Sequence, residues 1–445
     1  MNRSFALFVF TFAVGLFARP QTAPPIPEPD SRYKVDILVI VGHPDDDIEV
    51  ASYLAKAIEQ EHKRAALVYT TRGNTGGNAV GEEQANALAD IREMEARQSL
   101  ASYGITLAWF LHGSDTPGSD VLHSLERWGH GKALDEVVRL VRITRPEVIL
   151  TWMPNYDVGE NHEDHQGAGV LATEAFDLAA NPLAFPEQVE APRDRWNINN
   201  YGEGLRLWQP KKIYYFSDAT SLDFIKGKGP EYPSNDISPS RKIPYSRVAA
   251  EAWRFYKTQE TDFSEPQLKQ FTESPVLLIF GKSLVGQTMT GDIFEGITSA
   301  PIAYSKPRGY EPPEQTLSFD LGGPWAFYRA FWIAHNIEQV GKLYAPEAQV
   351  APGESLWVPL LITNDTNAAR EVRVTAILPA GWSQKPEANI YTVLAHDSYP
   401  IQLRVTSSAR DKGTWQTLRW QAESGRQKMG SADLRIKVEG NYLPQ

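Results

Sequence analysis

The stretch Val35–Ala51, VDILVIVGHPDDDIEVA, decides the fold. From Val35 to Val41 it is apolar apart from Asp36, the pattern of a strand buried on both faces. Gly42 permits a tight turn, and His43, Pro44, Asp45, Asp46 and Asp47 follow at once. Pro44 suits the first turn of a helix, where its missing N–H costs nothing. His43 and Asp46 then stand three apart and face the same way. One imidazole and one carboxylate converge at the mouth of a sheet, with Asp45 between them and aimed differently. Acids after a strand also cap helices, where the dipole favours negative charge. This motif alone does not separate capping from chemistry.

Working outward, strands and helices alternate. Strand-like runs are Val35–Val41, Ala65–Thr71, Thr106–Leu111, Glu147–Trp152 and Lys211–Phe216. Leu134, Val137, Val138 and Val141 keep helical spacing, and Glu82–Tyr103 is a helical stretch closed by Gly104. Pro146 stops a helix before the fourth strand. The order predicts an α/β, Rossmann-like, doubly wound and mostly parallel sheet, with ligands at the carboxyl ends of the strands. Residues from about 181 to 344 hold a helical run, SRVAAEAWRFYKTQ, and a strand candidate, Val276–Phe280. They read as the remainder of this domain with surface elaborations. After that the period changes to two: Leu356, Val358, Leu360, Ile362; Val372, Val374, Ala376, Leu378; Ile401, Leu403, Val405; Leu434, Ile436, Val438. This predicts a C-terminal β-sandwich over 343–445, following a first domain over 33–342.

With 445 residues, 42% hydrophobic and 22% charged, the chain is a globular protein of more than one domain. A net charge of -11 argues against nucleic acid or an anionic membrane as partner. Residues 1–18 have a signal-peptide layout: Arg3, an apolar core from Phe5 to Phe17, then Ala18. They predict an extracytoplasmic protein, periplasmic or secreted, with no membrane span beyond the leader. Residues 19–32 form a Pro-rich spacer. There is no cysteine, so any metal is held by nitrogen and oxygen.

The second motif is Asn161–Gly169, NHEDHQGAG, shortly after the fourth strand. His162 and His165 are again three apart. Two histidines and one aspartate leave open positions for water and substrate, which suits a catalytic metal. Thr70–Asn78, TTRGNTGGN, is Gly-rich but lacks the Lys-Ser/Thr of a phosphate loop, and reads as a loop at the substrate mouth. His62, His112, His123, His130, His335 and His396 have no such company and read as ordinary residues.

HPDDD followed by HEDH resembles the PIG-L, or LmbE-like, de-N-acetylase family, with its Ala-His-Pro-Asp-Asp-Glu and His-Pro-Asp-His motifs. The resemblance covers about Lys34 to Phe216 and more loosely reaches about residue 300. IREMEARQSLASYGI is similar to the family's Arg-containing helix, and WFLHGSD to the loop after its next strand. The resemblance implies zinc, with iron(II) an alternative, on His43, Asp46 and His165. It implies Asp45 as general base and His162 as the group that stabilises the charged intermediate or protonates the leaving amine. Arg92 matches a substrate-contacting arginine, and Asp115 is a further substrate candidate. Asp47 stands where the family has Glu, Glu163 where it has Pro, and Lys257–Gln259 is only loosely similar to a His-x-Ser-Gln segment. VAPGESLWVPLLITN and LPAGW resemble NEW3-type, immunoglobulin-like modules.

The expected activity is zinc-dependent removal of an N-acetyl group from an N-acetylglucosamine-containing glycan or conjugate. Two alternatives remain open at this point. One is a non-haem iron(II) oxygenase, which shares the two-His, one-carboxylate ligand set. The other is a non-catalytic carbohydrate-binding protein. The sequence does not give the oligomeric state.

Overall fold

The computed structural model describes residues 28–440, apart from 117, 119, 157–160, 193–201, 219–223, 260–263, 265, 267, 268, 270–272, 310–316 and 388. The leader and most of the spacer lie outside the described residues. Among the described residues no helix is long and apolar enough to cross a membrane.

The first domain alternates β1 (Ile37–Val41), α1 (Ile48–Glu59), β2 (Ala65–Thr71), α2 (Ala85–Ser102) and β3 (Ala108–Gly113). There follow α3 (Val121–Trp128), α4 (His130–Thr144), β4 (Val148–Trp152), α5 (Glu163–Leu178), a single turn α6 (Pro186–Val189) and β5 (Lys212–Phe216). The hairpin strands β6 (Glu231–Tyr232) and β7 (Val276–Leu277) flank α7 (Tyr245–Trp253), and β8 (Ile279–Ser283) completes the main sheet. Its order is β3-β2-β1-β4-β5-β8. The first five strands are parallel and β8 runs antiparallel to β5, so the sheet is mixed. The run expected at Val276–Phe280 splits into β7 and β8.

Side chains of a strand alternate faces, and β1 shows what that does here. Leu38 and Ile40 join α3, α4 and α5 in one apolar cluster. Ile37, Val39 and Val41 join α1, α2 and α7 in another. With both faces covered, a near-continuous apolar strand is the stable solution. From β1 the chain works outward to β3, then returns to place β4 on the other side of β1. The crevice at that reversal is where such sheets bind ligands. The loops after β1 and β4 carry the two histidine motifs.

The C-terminal part forms two sheets. One has the order β13-β15-β11-β9 and the other β10-β17-β16-β12-β14. Their strands are β9 (Leu317–Leu321), β10 (Glu347–Val350), β11 (Ser355–Asn364), β12 (Arg370–Ile377), β13 (Ser383–Lys385), β14 (Ile390–Val393), β15 (Asp397–Thr406), β16 (Trp415–Ser424) and β17 (Gln427–Val438). Val358, Leu360, Ile362, Leu403 and Val405 from one sheet share an apolar cluster with Val372, Leu418, Trp420, Leu434 and Ile436 from the other.

The expected division at residue 343 misplaces one strand. Leu317–Leu321 pairs antiparallel with β11, so the second unit's sheet reaches back before that boundary. The run is short and has no turn signal binding it to its partner, which is forty residues on. The helix α8 (Gly323–His335) and the turn α9 (Glu338–Gly341) lie between β9 and β10.

Candidate active site

The loop after β1 is built around Asp46. Its Oδ2 accepts from Gly42 N at 2.8 Å, His43 N at 3.0 Å and Trp152 Nε1 at 2.6 Å. Residues 44–47 form turns and the helix starts at Ile48, so Pro44 precedes the helix rather than opening it. With Oδ2 saturated, Oδ1 faces His165 Nε2 at 3.2 Å and His43 Nδ1 at 3.8 Å. Trp152 also stacks on the His165 ring, with centroids 4.0 Å apart and planes at 8°. His162 and His165 rings are 4.0 Å apart, and His43 lies 5.0 and 5.1 Å from them. The sheet therefore brings together His43, Asp46, His162 and His165.

Asp45 has φ of 140°, a region nearly reserved for glycine that costs about 1–3 kcal/mol. The turn Asp45 O to Ile48 N at 2.9 Å and the Asp46 clamp hold it there. Burial, then the Asp46 charge, push its carboxyl well above the usual range, against the pull of Arg92 and His43. A cation at the cluster lowers it again.

Around His43 stand three carboxylates: Asp46, Asp115 with Oδ1 3.8 Å from Nε2, and Asp164 with Oδ2 3.5 Å from Nε2. Burial opposes a charge on the ring, but these acids outweigh it and hold the His43 pKa well above its ordinary value. The cluster is thus poised for positive charge.

Two triads have donor atoms within 4.8 Å of one another: His43, His162 and His165; and His43, Asp115 and Asp164. The hydrogen bonds rank them. His162 Nδ1 accepts the Asp164 backbone N–H at 3.3 Å as the N-cap of α5, so the neutral ring carries its proton on Nε2. Burial, with His165 and His43 nearby, holds His162 well below its ordinary pKa and therefore neutral. In that tautomer the ring offers an N–H at Nε2. Asp164 is engaged by Thr116 N at 2.8 Å and by the Thr116 hydroxyl. Asp115 Oδ2 accepts from Thr75 N at 2.9 Å, while its Oδ1 is buried without a partner and faces His43 Nε2 at 3.8 Å. Asp46 stands outside both triads, but its Oδ1, with the imidazoles of His43 and His165, makes a further set of nitrogen and oxygen donors. His165 Nδ1 is buried without a partner, and Nε2 is the ring nitrogen that faces Asp46. This set fits a divalent cation.

Arg92, the expected substrate contact, holds a loop. It is 4% exposed, and its Nη1 and Nη2 donate to Gly73 O and Gly77 O, both at 2.8 Å. A Cβ at Gly73 or Gly76 would stand 2.5–2.6 Å from the guanidinium, which is why glycine occupies both. Asp115 grips the same loop through Thr75, so residues 73–77 are strapped over the mouth from two sides.

Sequence reasoning missed several participants. Trp152 closes the Asp46 clamp; an indole at the end of a buried strand, in need of an acceptor, was the available signal. Asp164 sits between the two histidines of its motif. Asp47 is fully buried and accepts from Tyr69 OH at 2.9 Å, Tyr103 OH at 2.8 Å and Tyr256 OH. Burial raises its pKa to about 6 despite these donors. The KTQ segment also reaches the site: Thr258 bonds Glu95, and Gln259 bonds Pro44 O.

With this geometry in place, the similarities become informative. Residues 38–176 match the family model PIG-L, GlcNAc-PI de-N-acetylase. This segment is similar to the PIG-L family. A 1D-myo-inositol 2-acetamido-2-deoxy-alpha-D-glucopyranoside deacetylase from Streptomyces scabiei is 28% identical over 314 residues, covering 62% of this chain and 94% of that one. A similarly named deacetylase from Catenulispora acidiphila is 29% identical over 182 residues, covering 38% of this chain. One from Frankia alni is 32% identical over 165 residues, covering 34% of this chain. This chain spans 56% of the length of each of the last two. N,N'-diacetylchitobiose deacetylase from Pyrococcus horikoshii aligns at 17% identity with a TM-score of 0.40, over 56% of this chain and 84% of that one, and adds no argument of its own. The matched segment holds His43, Asp46, Asp115, His162, Asp164 and His165.

Proposed function

We propose that the chain is a metal-dependent de-N-acetylase that hydrolyses the acetamide of an N-acetylglucosamine unit on a glycan or conjugate. The observation that carries this reading is the Asp46 clamp. Three donors fix one carboxylate oxygen, so the other is presented to His43 and His165, with Asp45 beside it. The activity for which the relatives are named supports a 2-acetamido sugar as the substrate class.

His43, Asp46 and His165 would hold zinc or iron(II), which would supply Lewis acidity toward the amide carbonyl and the attacking water. Asp45 takes the proton of the attacking water, and its strained backbone fixes the direction of that transfer. A C–O bond forms and negative charge moves to the amide oxygen. His162, neutral with its proton on Nε2, donates to that oxygen. The C–N bond then breaks, and the proton held by Asp45 passes to the leaving nitrogen. Arg92 and Asp115 hold the 73–77 strap, which bounds the space for the sugar.

The leader at 1–18 points to export, and we place the reaction outside the cytoplasm. The paired C-terminal sheets fit an immunoglobulin-like sandwich of the NEW3 kind.

The test is a panel of N-acetylglucosamine monomers, oligomers and inositol-linked conjugates, with zinc-loaded protein under argon. Free amine and acetate appearing in equal amounts, without oxygen or an oxoacid, supports hydrolysis. A demand for oxygen and an oxoacid revives the oxygenase. Binding of sugar without turnover favours the carbohydrate-binding alternative.

A further inference from the structure

The helix α8 is bracketed by strands of the two C-terminal sheets, β9 before it and β10 after it, yet it packs on the first domain. Tyr328 and Phe331 lie in the apolar cluster of α3, α4 and α5, while Trp325 belongs to the cluster between the C-terminal sheets. Its far end is anchored: His335 Nδ1 pairs with Asp177 Oδ2 at 2.6 Å, and Lys282 Nζ bonds both Asp177 and His335 O.

Tyr328, at mid-helix, and Trp332, in the last turn, are spent on the catalytic loop. The Tyr328 hydroxyl, fully buried, donates to Gln166 Oε1 at 2.8 Å. Gln166 Nε2 donates to Asn161 O at 2.6 Å, and Asn161 Nδ2 to Met153 O at 3.2 Å. Trp332 Nε1 donates to Pro154 O at 3.0 Å. Asn161 directly precedes His162, and Gln166 directly follows His165. Met153 and Pro154 begin the same β4–α5 connection. Apolar contact alone would bury α8. Here its polar atoms instead fix the backbone on both sides of the histidine pair, and a buried hydrogen-bonded chain permits few arrangements, although Asn161 Oδ1 has no partner in it.

We propose that α8 is a positioning element of the active site: Tyr328 and Trp332 set the His162–His165 segment through Gln166, Asn161 and Pro154, without contributing an atom to the reaction. Removing the Tyr328 hydroxyl leaves Gln166 Oε1 unpaired and frees the amide that holds Asn161 O. The inference rests on the de-N-acetylase reading only for its activity readout.

The experiment uses the full chain and Tyr328→Phe and Trp332→Phe, singly and together, with Co2+ as the probe. The readouts are Co2+ affinity, the visible d–d bands, kcat and KM for acetate release, and Tm. The expected result is shifted bands with Co2+ bound about threefold to tenfold more weakly, less than for a group bonded directly to a ligand. We expect kcat to fall by a similar factor with KM unchanged. Variants with wild-type bands, affinity and kcat overturn the proposal, and so does a fall in Tm alone. Should Tyr328→Phe fail to fold, Trp332→Phe decides on the same readouts. If the wild type binds Co2+ but releases no acetate, the functional reading fails while the Co2+ comparison still decides the role of α8.

Discussion

Trp152→Phe is the sharpest probe of how the metal set is held. The substitution keeps an aromatic ring beside His165 and deletes the N–H that reaches Asp46 Oδ2 at 2.6 Å. Asp46 then keeps only the Gly42 and His43 amides on that oxygen. A hydrogen bond to a charged group contributes about 1.5–3 kcal/mol, and roughly 1.4 kcal/mol is tenfold in affinity. Part of that loss is shared by the metal-free state, so the expected weakening of zinc or cobalt binding is about 10–100-fold. The assay is competition with a chromophoric chelator. Trp420→Phe is the control, because Trp420 is equally buried and donates to Gln384 Oε1 at 2.9 Å, inside the C-terminal core. Both variants lose stability, but only Trp152→Phe should lose metal. Equal, wild-type metal affinity in the two variants would refute the reasoning that Oδ2 is clamped so that Oδ1 can serve as a ligand.

Other perturbations give equally direct outcomes. Arg92→Met removes both hydrogen bonds to the 73–77 strap, so proteolysis or amide exchange there should speed up and KM should rise more than kcat falls; an unchanged strap and KM speak against its strapping role. Asp47 has a folded pKa of about 6, above its unfolded value, so in the metal-free chain its contribution is full below pH 4 and is lost as pH rises toward 6. That loss is roughly 3 kcal/mol for a buried group, and Asp47→Asn should remove it from denaturant curves taken across that window. A chain ended at residue 342 strips β9 of its partner strand and exposes Phe319, Leu321 and Trp325. It should bind a hydrophobic dye and aggregate; a monomeric, dye-free product would restore the boundary at 343.

Much of the site was legible because its parts are local. A buried strand ending in His43-Pro44-Asp45-Asp46-Asp47 and a second motif after β4 both sit at strand ends, and the order of elements places those ends side by side. Alternation in the last hundred residues gave the strands of the C-terminal sheets for the same reason. What was not legible depends on partners far along the chain. Periodicity shows that Trp152 and Tyr256 bury a face, but not that their polar tips meet Asp46 and Asp47. Nothing local reveals that Arg92 also holds the carbonyls of Gly73 and Gly77. Leu317–Leu321 and α8 carry ordinary strand and helix patterns. Their assignment to the second sheet and the first core follows from pairing and packing, which a short pattern does not encode.

The central claim is amide hydrolysis with Asp45 as the proton acceptor. The most direct measurement is acetate released from an N-acetylglucosamine conjugate by zinc-loaded wild type and by Asp45→Asn, with bound metal quantified in both. The account predicts release by the wild type, none by the variant, and the same metal content in each. Release by Asp45→Asn at the wild-type rate, or loss of its metal, would contradict it.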